Sequence, residues 1–295
     1  MAKVLAKIVA KTVDWIHLLR VRQWYKNVVI FLAIFFVGEL FDLPKLLLTA
    51  QGFVALCAIS SAGYLINDLV DLQKDQLHPE KKNRPLAAGR ITPLAAVVTA
   101  CILVLVGSYI AWHLNIYFLY CVLLLFFLTQ IYTFILKNIV IADILTIAVL
   151  FVIRAISGPY IIGVVVSPWL ILCPFFLSLF LSVGKRQADL QLLGDKAGIT
   201  RKVLQEYTLN LTNNLMIIST TLLILAYSLY SFLSKHEKLL YTLPFAMYVI
   251  FRYFYVVSIG SEIARHPERV LQDKSLVAGI VLWVICVTII IYSSI

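Results

Sequence analysis

The 295-residue chain is 62% hydrophobic and 14% charged, with a formal net charge of +10. A soluble domain is close to half apolar and about a quarter charged, so these figures exclude an ordinary soluble globule and point to lipid as the solvent. The basic residues flank apolar runs and form no continuous face, so no nucleic-acid partner is expected, and the scattered cysteines and histidines lack the spacing of a zinc or redox site.

Residues 1–26 carry Lys3, Lys7, Lys11, Arg20, Arg22 and Lys26 on an amphipathic pattern. They lack the unbroken apolar core and cleavage site of a signal peptide, and they read as an interfacial, cytoplasmic segment. Trp24 and Tyr25 suit the membrane interface. Lys26 and Asn27 sit where the chain enters lipid and can face an anion. Nine runs long and apolar enough to span a bilayer follow, at 27–43, 46–66, 93–112, 116–136, 141–164, 168–184, 209–233, 239–259 and 275–294. The expected fold is all-α, a polytopic transmembrane bundle of about nine helices forming one catalytic domain over 1–295.

Twenty of the 25 Lys and Arg residues fall on the N-terminal segment, the connections 67–92, 185–208 and 260–274, and Lys137. Only Lys45, Lys235 and Lys238 fall on the opposite connections, and Arg154 and Arg252 lie within spans. The positive-inside rule therefore puts the long connections in the cytoplasm. A multi-pass protein of the cell membrane is expected, with its polar loops on the cytoplasmic face and membrane lipids around it.

The second span runs into Tyr64-Leu-Ile-Asn67-Asp68-Leu-Val-Asp71-Leu-Gln-Lys-Asp75. On a continued helix this spacing gathers Asn67, Asp68, Asp71 and Asp75 on one face, with Tyr64 a turn earlier. Like charges so placed repel one another unless a cation sits among them. Mg²⁺ takes one or two carboxylates and completes its shell with phosphate oxygens and water. Carboxylates at a bilayer centre cost about 2.5–3.5 kcal/mol each, so the four residues are expected at a wet mouth, holding Mg²⁺ on a diphosphate. The plainer reading is a solvated acidic loop end.

Lys81, Lys82 and Arg84 follow closely, and Pro85 pins the backbone after Arg84. Alone they are ordinary positive-inside residues. Beside the carboxylates, Lys81 and Arg84 are candidates for the phosphates. Lys137 closes a short connection. Asp143 and Arg154 share a face of the fifth span but stand about 16 Å apart, so Arg154 needs another acid or a substrate phosphate. Lys185, Arg186 and Asp189 open the second long connection, and two cations with one acid suit a phosphate-rich ligand better than a metal pair.

These stretches resemble the UbiA superfamily of intramembrane prenyltransferases, whose fold is a helical bundle around a central cavity capped by two polar loops. The Asn67–Asp75 run matches the superfamily's first Asp-rich motif in full, whereas the second motif, Asp-x-x-x-Asp, is missing. Arg22 to Asn27, Gly184 to Leu190 and His266-Pro267-Glu268 resemble the branch of polyprenyl-phosphate phosphoribosyltransferases, with Asp189 and Gln187 standing where that branch often has glutamate and tyrosine. The resemblance implies transfer of 5-phosphoribose from 5-phosphoribosyl 1-diphosphate to a polyprenyl phosphate, giving a precursor of cell-envelope pentose donors. Mg²⁺ on Asn67, Asp68, Asp71 and Asp75 would neutralise the leaving group. Lys26, Arg84, Lys185 and Arg186 would clamp phosphates, Tyr64 and Asp189 would reach the ribose, and the lipid phosphate would lie near Lys137 or Arg154. The alternatives are transfer of a prenyl group to an aromatic acceptor, which the missing second motif disfavours, and transport. Association into a homo-oligomer is left open by the sequence.

Overall fold

In lipid every backbone N–H and C=O must find its partner within the protein, which leaves helices as the solution for single apolar runs. The computed structural model describes residues 11–77, 81–194, 198 and 202–293, all helical or loop, with no strand among them. Helix α1 covers 11–18. A 3-10 helix, Val21–Phe31, and the short α2, Leu32–Phe36, come next. Then follow α3 (Leu43–Val70), α4 (Leu72–Leu77), α5 (Pro93–Leu114), α6 (Ile116–Phe134), α7 (Ala142–Ile162) and α8 (Trp169–Leu193). The chain ends with α9 (Leu209–Leu233), α10 (Leu243–Ser258), α11 (Glu262–Arg265) and α12 (Lys274–Tyr292).

Eight helices are long and apolar enough to cross a membrane: α3, α5, α6, α7, α8, α9, α10 with the turn before it, and α12. They match eight of the nine expected spans. The expected first span, 27–43, is the exception: its residues fall in the 3-10 helix, α2 and a turn at Gly38. Eleven residues at about 2.0 Å rise and five at about 1.5 Å still reach close to 30 Å, the thickness of a hydrocarbon core.

The helix ends are fixed by local chemistry. Asp42 accepts from the Lys45 N–H at 3.2 Å, and Pro44 occupies the first turn, where its missing N–H costs nothing. Asn115 ends α5 and starts α6 in one extended residue, its Oδ1 accepting from the Tyr117 N–H at 2.8 Å. α7 stops at Gly163, whose φ of 72° suits glycine.

Two apolar clusters build the bundle. One joins the 3-10 helix, α2, α3, α6 and α7 through Ile30, Ile34, Leu56, Phe118, Leu125 and Ile153. The other joins α8, α9, α10 and α12 through Phe180, Val183, Met216, Leu223, Val257 and Leu276. α7 and α8 pack together at the seam. Phe35 and Phe36 pack near Leu239, Val287 and Ile291, and the Tyr292 hydroxyl donates to the Phe35 carbonyl at 3.1 Å, so α2 and α12 join the two clusters. At the other end Leu18 of α1 packs with Leu65, Leu86 and Ile91, laying α1 over the end of α3.

Candidate active site

The polar end of the bundle is built outward from α3. Its last turn leads into α4 with unbroken helical hydrogen bonds: the Asp71 N–H reaches the Asn67 carbonyl at 3.0 Å and the Asp75 N–H reaches the Asp71 carbonyl at 2.8 Å. Asp68 is 5% exposed and Asp75 3%. Bare carboxylates at that burial are costly unless paired, and each has a partner. Arg84 Nη1 donates to Asp68 Oδ1 at 2.9 Å and to Asp75 Oδ2 at 2.5 Å. Arg20 also pairs with Asp68, and its guanidinium lies over the Tyr64 ring, 4.9 Å from the centroid. Lys137 Nζ meets Asp71 Oδ2 at 2.7 Å and Asn67 Oδ1 at 3.4 Å.

The four motif residues therefore converge on two points, each held by a cationic nitrogen: Asp68 with Asp75 around Arg84, and Asn67 with Asp71 around Lys137. That pairwise arrangement divides the shared face of the continued helix into two oxygen pairs. Among the described residues no point gathers three or more His, Cys, Asp or Glu side chains. Oxygen donors in pairs fit a hard divalent ion that takes one or two carboxylates and leaves the rest of its shell to phosphate and water. They do not fit a closed protein cage.

The loop that carries Arg84 is tied to α1. Arg90 Nε donates to Asp14 Oδ1 and Nη2 to the Asn83 carbonyl, both at 2.8 Å. Lys81 is half-buried on this loop; residues 78–80 lie outside the described residues.

Below the motif the 3-10 helix supplies a polar strip. Three residues per turn stack every third side chain, so Trp24, Asn27 and Ile30 share one inward edge. Trp24 Nε1 donates to Ser61 Oγ at 3.0 Å. Asn27 is 1% exposed, and its Oδ1 accepts from Arg154 Nε at 2.8 Å and from Ser60 Oγ at 3.2 Å. Arg154 Nη1 donates to the Leu150 carbonyl at 2.8 Å. Tyr64 lies within electrostatic reach of Lys26, Arg154 and Arg20. A Cβ on Gly158 would collide with the Ile30 carbonyl oxygen, so glycine there lets α7 approach this strip.

The second polar connection behaves differently. Arg186, expected to meet phosphate, is 2% exposed and donates from Nε to Asp143 Oδ2 at 2.8 Å; Asp143 is fully buried. The Tyr207 hydroxyl donates to Asp143 Oδ1 at 2.7 Å and accepts from the Ile141 N–H at 2.9 Å. Burial, reinforced by the Asp143 carboxylate, pushes the Tyr207 phenol above its ordinary value, which keeps it a donor. Asp189, expected beside the ribose, accepts from Arg265 Nε at 3.1 Å. Lys185 is half-buried next to this network. Arg252, the other arginine expected within a span, pairs with Asp273 at 3.0 Å.

Sequence reasoning missed the roles of five of these residues. Arg20 and Arg90 read as interface charges, and Asp143 showed no route to Arg186, 43 residues on. Arg265 carried no signal at all. Tyr207 lay in a stretch of family resemblance without a role.

Comparison with known proteins accords with this arrangement. A profile of the UbiA prenyltransferase family matches residues 27–269. The chain is 32% identical to a decaprenyl-phosphate phosphoribosyltransferase of Mycolicibacterium smegmatis, covering 95% of this chain and 92% of that protein. A protein of the same name from Mycobacterium tuberculosis is 30% identical, with 90% of each chain covered. The fold is similar to that of a UbiA homologue from Archaeoglobus fulgidus solved with GPP and Mg²⁺, with a TM-score of 0.72, 16% identity, and 95% of this chain and 99% of that one covered. The chain belongs to the UbiA prenyltransferase family.

Proposed function

We propose that the chain transfers 5-phosphoribose from 5-phosphoribosyl 1-diphosphate to a polyprenyl phosphate in a Mg²⁺-dependent reaction, releasing pyrophosphate. The observation that carries this reading is an acidic cluster surrounded by cations. Asp68, Asp71 and Asp75 stand with Arg20, Arg84 and Lys137, while Asp189 on α8 is taken up by Arg265. The second polar connection carries no Asp-x-x-x-Asp motif, and a prenyl transfer of the superfamily's usual kind would call for one. The names of the relatives support the same choice.

Asn67, Asp68, Asp71 and Asp75 would hold Mg²⁺, which when bound offsets the charge of the leaving diphosphate. Arg84 and Lys137 neutralise the carboxylates in the absence of substrate and are free to turn to phosphate oxygens once the carboxylates have another partner. Lys26, Lys81 and Lys185 add positive potential at the same mouth. Tyr64 would donate to the ribose. A phosphate oxygen of the lipid attacks C1, the C1–O bond to the diphosphate breaks, and the bonding pair leaves with pyrophosphate. The attacking phosphate is already anionic, so the chain need supply no strong base, and much of the catalysis is the holding of two anions in register. The asymmetry of Lys and Arg supports a site facing the cytoplasm from the plasma membrane.

The test is direct. Purified protein is given polyprenyl phosphate and labelled phosphoribosyl diphosphate with Mg²⁺, and in parallel labelled prenyl diphosphate with an aromatic acceptor. The expected lipid product gains one phosphoribose by mass spectrometry, and chelation stops its formation. Label in the aromatic product alone would replace this reading with prenyl transfer.

A further inference from the structure

Two arginines are buried among the described residues, Arg154 and Arg186. Arg186 faces Asp143. Arg154 is 6% exposed and faces no carboxylate within ion-pair distance among the described residues. Among the described residues its hydrogen bonds go to two neutral oxygens, Asn27 Oδ1 and the Leu150 carbonyl, and three of the five guanidinium donors meet no partner there. The groups around it are Asn27, Cys57, Tyr64 and Phe151. Lys26 reaches the same Tyr64. Lys26 thus adds a second positive charge beside Tyr64. A buried cation without a counter-ion is costly in water-poor surroundings, and an intramembrane charge of that kind marks a place where a ligand supplies the opposite sign.

We infer that Arg154, with Lys26, Asn27 and Tyr64, forms a pocket for a phosphate monoester, distinct from the diphosphate site. Tyr64 is four residues before Asp68, about 6 Å deeper along α3, so the pocket lies directly beneath the acidic motif. The charges suit the ligand: two cations match a monoester dianion, and the planar guanidinium can offer two parallel N–H groups to two of its oxygens. Arg154 lies twelve residues into α7, about 18 Å from the polar end. The sequence left the lipid phosphate at Lys137 or Arg154. Lys137 is bonded to Asp71 and Asn67 and so belongs to the diphosphate site, whereas Arg154 meets no carboxylate among the described residues and its partners there are neutral. The inference rests on the phosphoribosyltransferase reading only for its two candidate ligands, the phosphate of the polyprenyl acceptor and the 5-phosphate of the sugar.

The experiment uses the full chain in detergent or nanodiscs, as wild type, Arg154→Met and Arg154→Lys. Binding of three probes is measured: a short-chain prenyl monophosphate, ribose 5-phosphate, and pyrophosphate with Mg²⁺. For Arg154→Met, one monoester is expected to weaken roughly ten- to hundredfold, which identifies its source, while Mg²⁺–pyrophosphate binds as in wild type. Arg154→Lys, which keeps the charge and loses the fork, should weaken the same monoester by a smaller factor. Without ligand, Arg154→Met should melt at or above the wild-type midpoint, because an uncompensated charge has been removed. A midpoint clearly below wild type, or failure to fold, would mean that the guanidinium merely ties α7 to Asn27, and would overturn the inference. So would unchanged binding of both monoesters, or an equal loss of pyrophosphate. A wild-type protein that binds a monoester yet transfers no phosphoribose would sink the proposed function and leave the pocket standing.

Discussion

Asp71 and Asp143 are both paired to a cation, yet breaking the two pairs should have different consequences. Asp143 is fully buried and the Arg186 side chain is 3% exposed. Replacing Asp143 by Asn leaves the buried Arg186 guanidinium with only the more distant Asp189 carboxylate, 3.8 Å away, and losses of up to about 3–5 kcal/mol are usual when a buried pair is broken. Thermal unfolding of purified Asp143→Asn should show a lower midpoint, and a wild-type midpoint would refute a structural role for the pair. Asp71 and Lys137 keep 18% and 15% of their side-chain surface. Lys137 can therefore turn to water when Asp71 is removed, and the loss in stability should stay within about 1 kcal/mol. Turnover by Asp71→Ala should nevertheless disappear, because one of the two oxygen pairs for the metal is gone. Wild-type turnover in that variant would remove Asp71 from the chemistry. The acidic motif was legible in the sequence because its spacing is local. The pairs Arg20–Asp68 and Arg265–Asp189 join residues 48 and 76 positions apart, and no local pattern encodes such a meeting.

At the scale of elements, the first membrane segment separates what periodicity reveals from what it hides. Eight spans were readable because length and apolarity suffice in lipid. The ninth is a 3-10 helix followed by a short α-helix, and its inward edge holds Trp24, Asn27 and Ile30 at intervals of three, a pattern that a count of apolar residues does not register. Without backbone proximity this edge could not meet α7. Gly158 provides that proximity, since a Cβ there would meet the Ile30 carbonyl and approach the Ala33 Cβ at 3.4 Å. A carbonyl in a hydrogen-bonded helix cannot rotate away as a side-chain tip can. Gly158→Ala should therefore push the segment outward, at a cost of about 1–3 kcal/mol, and carry Asn27 away from Arg154. Reduced transfer together with a lowered melting midpoint is the expected result. A variant with wild-type values in both assays would mean that the strip tolerates displacement. Gly163 is a useful control of the opposite kind: its Cβ would meet nothing within 4 Å, and the strain there comes from φ alone.

On the scale of the whole molecule, polarity is segregated along the bundle axis. One end carries the acidic motif, the Arg84 loop, Lys137 and the Asp143–Arg186–Tyr207 network. The opposite end closes with Phe35 and Phe36 against Tyr292 and its neighbours on α12, and a small Glu39–Lys45 pair at 2.5 Å. Lipid-facing flanks between these ends are apolar, as the exposed Leu105, Tyr109, Phe127 and Ile131 illustrate. This segregation turns the charge count into a topological prediction. By sequence, twenty Lys and Arg residues fall in the N-terminal segment and the connections assigned to the motif's side and three in the opposite connections, and cytoplasmic loops retain such an excess. In a cysteine-free background, Gln76→Cys and Lys235→Cys place thiols at exposed positions of opposite ends. A membrane-impermeant maleimide added to intact cells should label position 235 and spare position 76 until the membrane is opened. The reverse pattern would put the diphosphate site on the outer surface, where a phosphorylated sugar donor made inside the cell could not reach it. In that case the proposed reaction would lose its substrate, however well the side chains suited it.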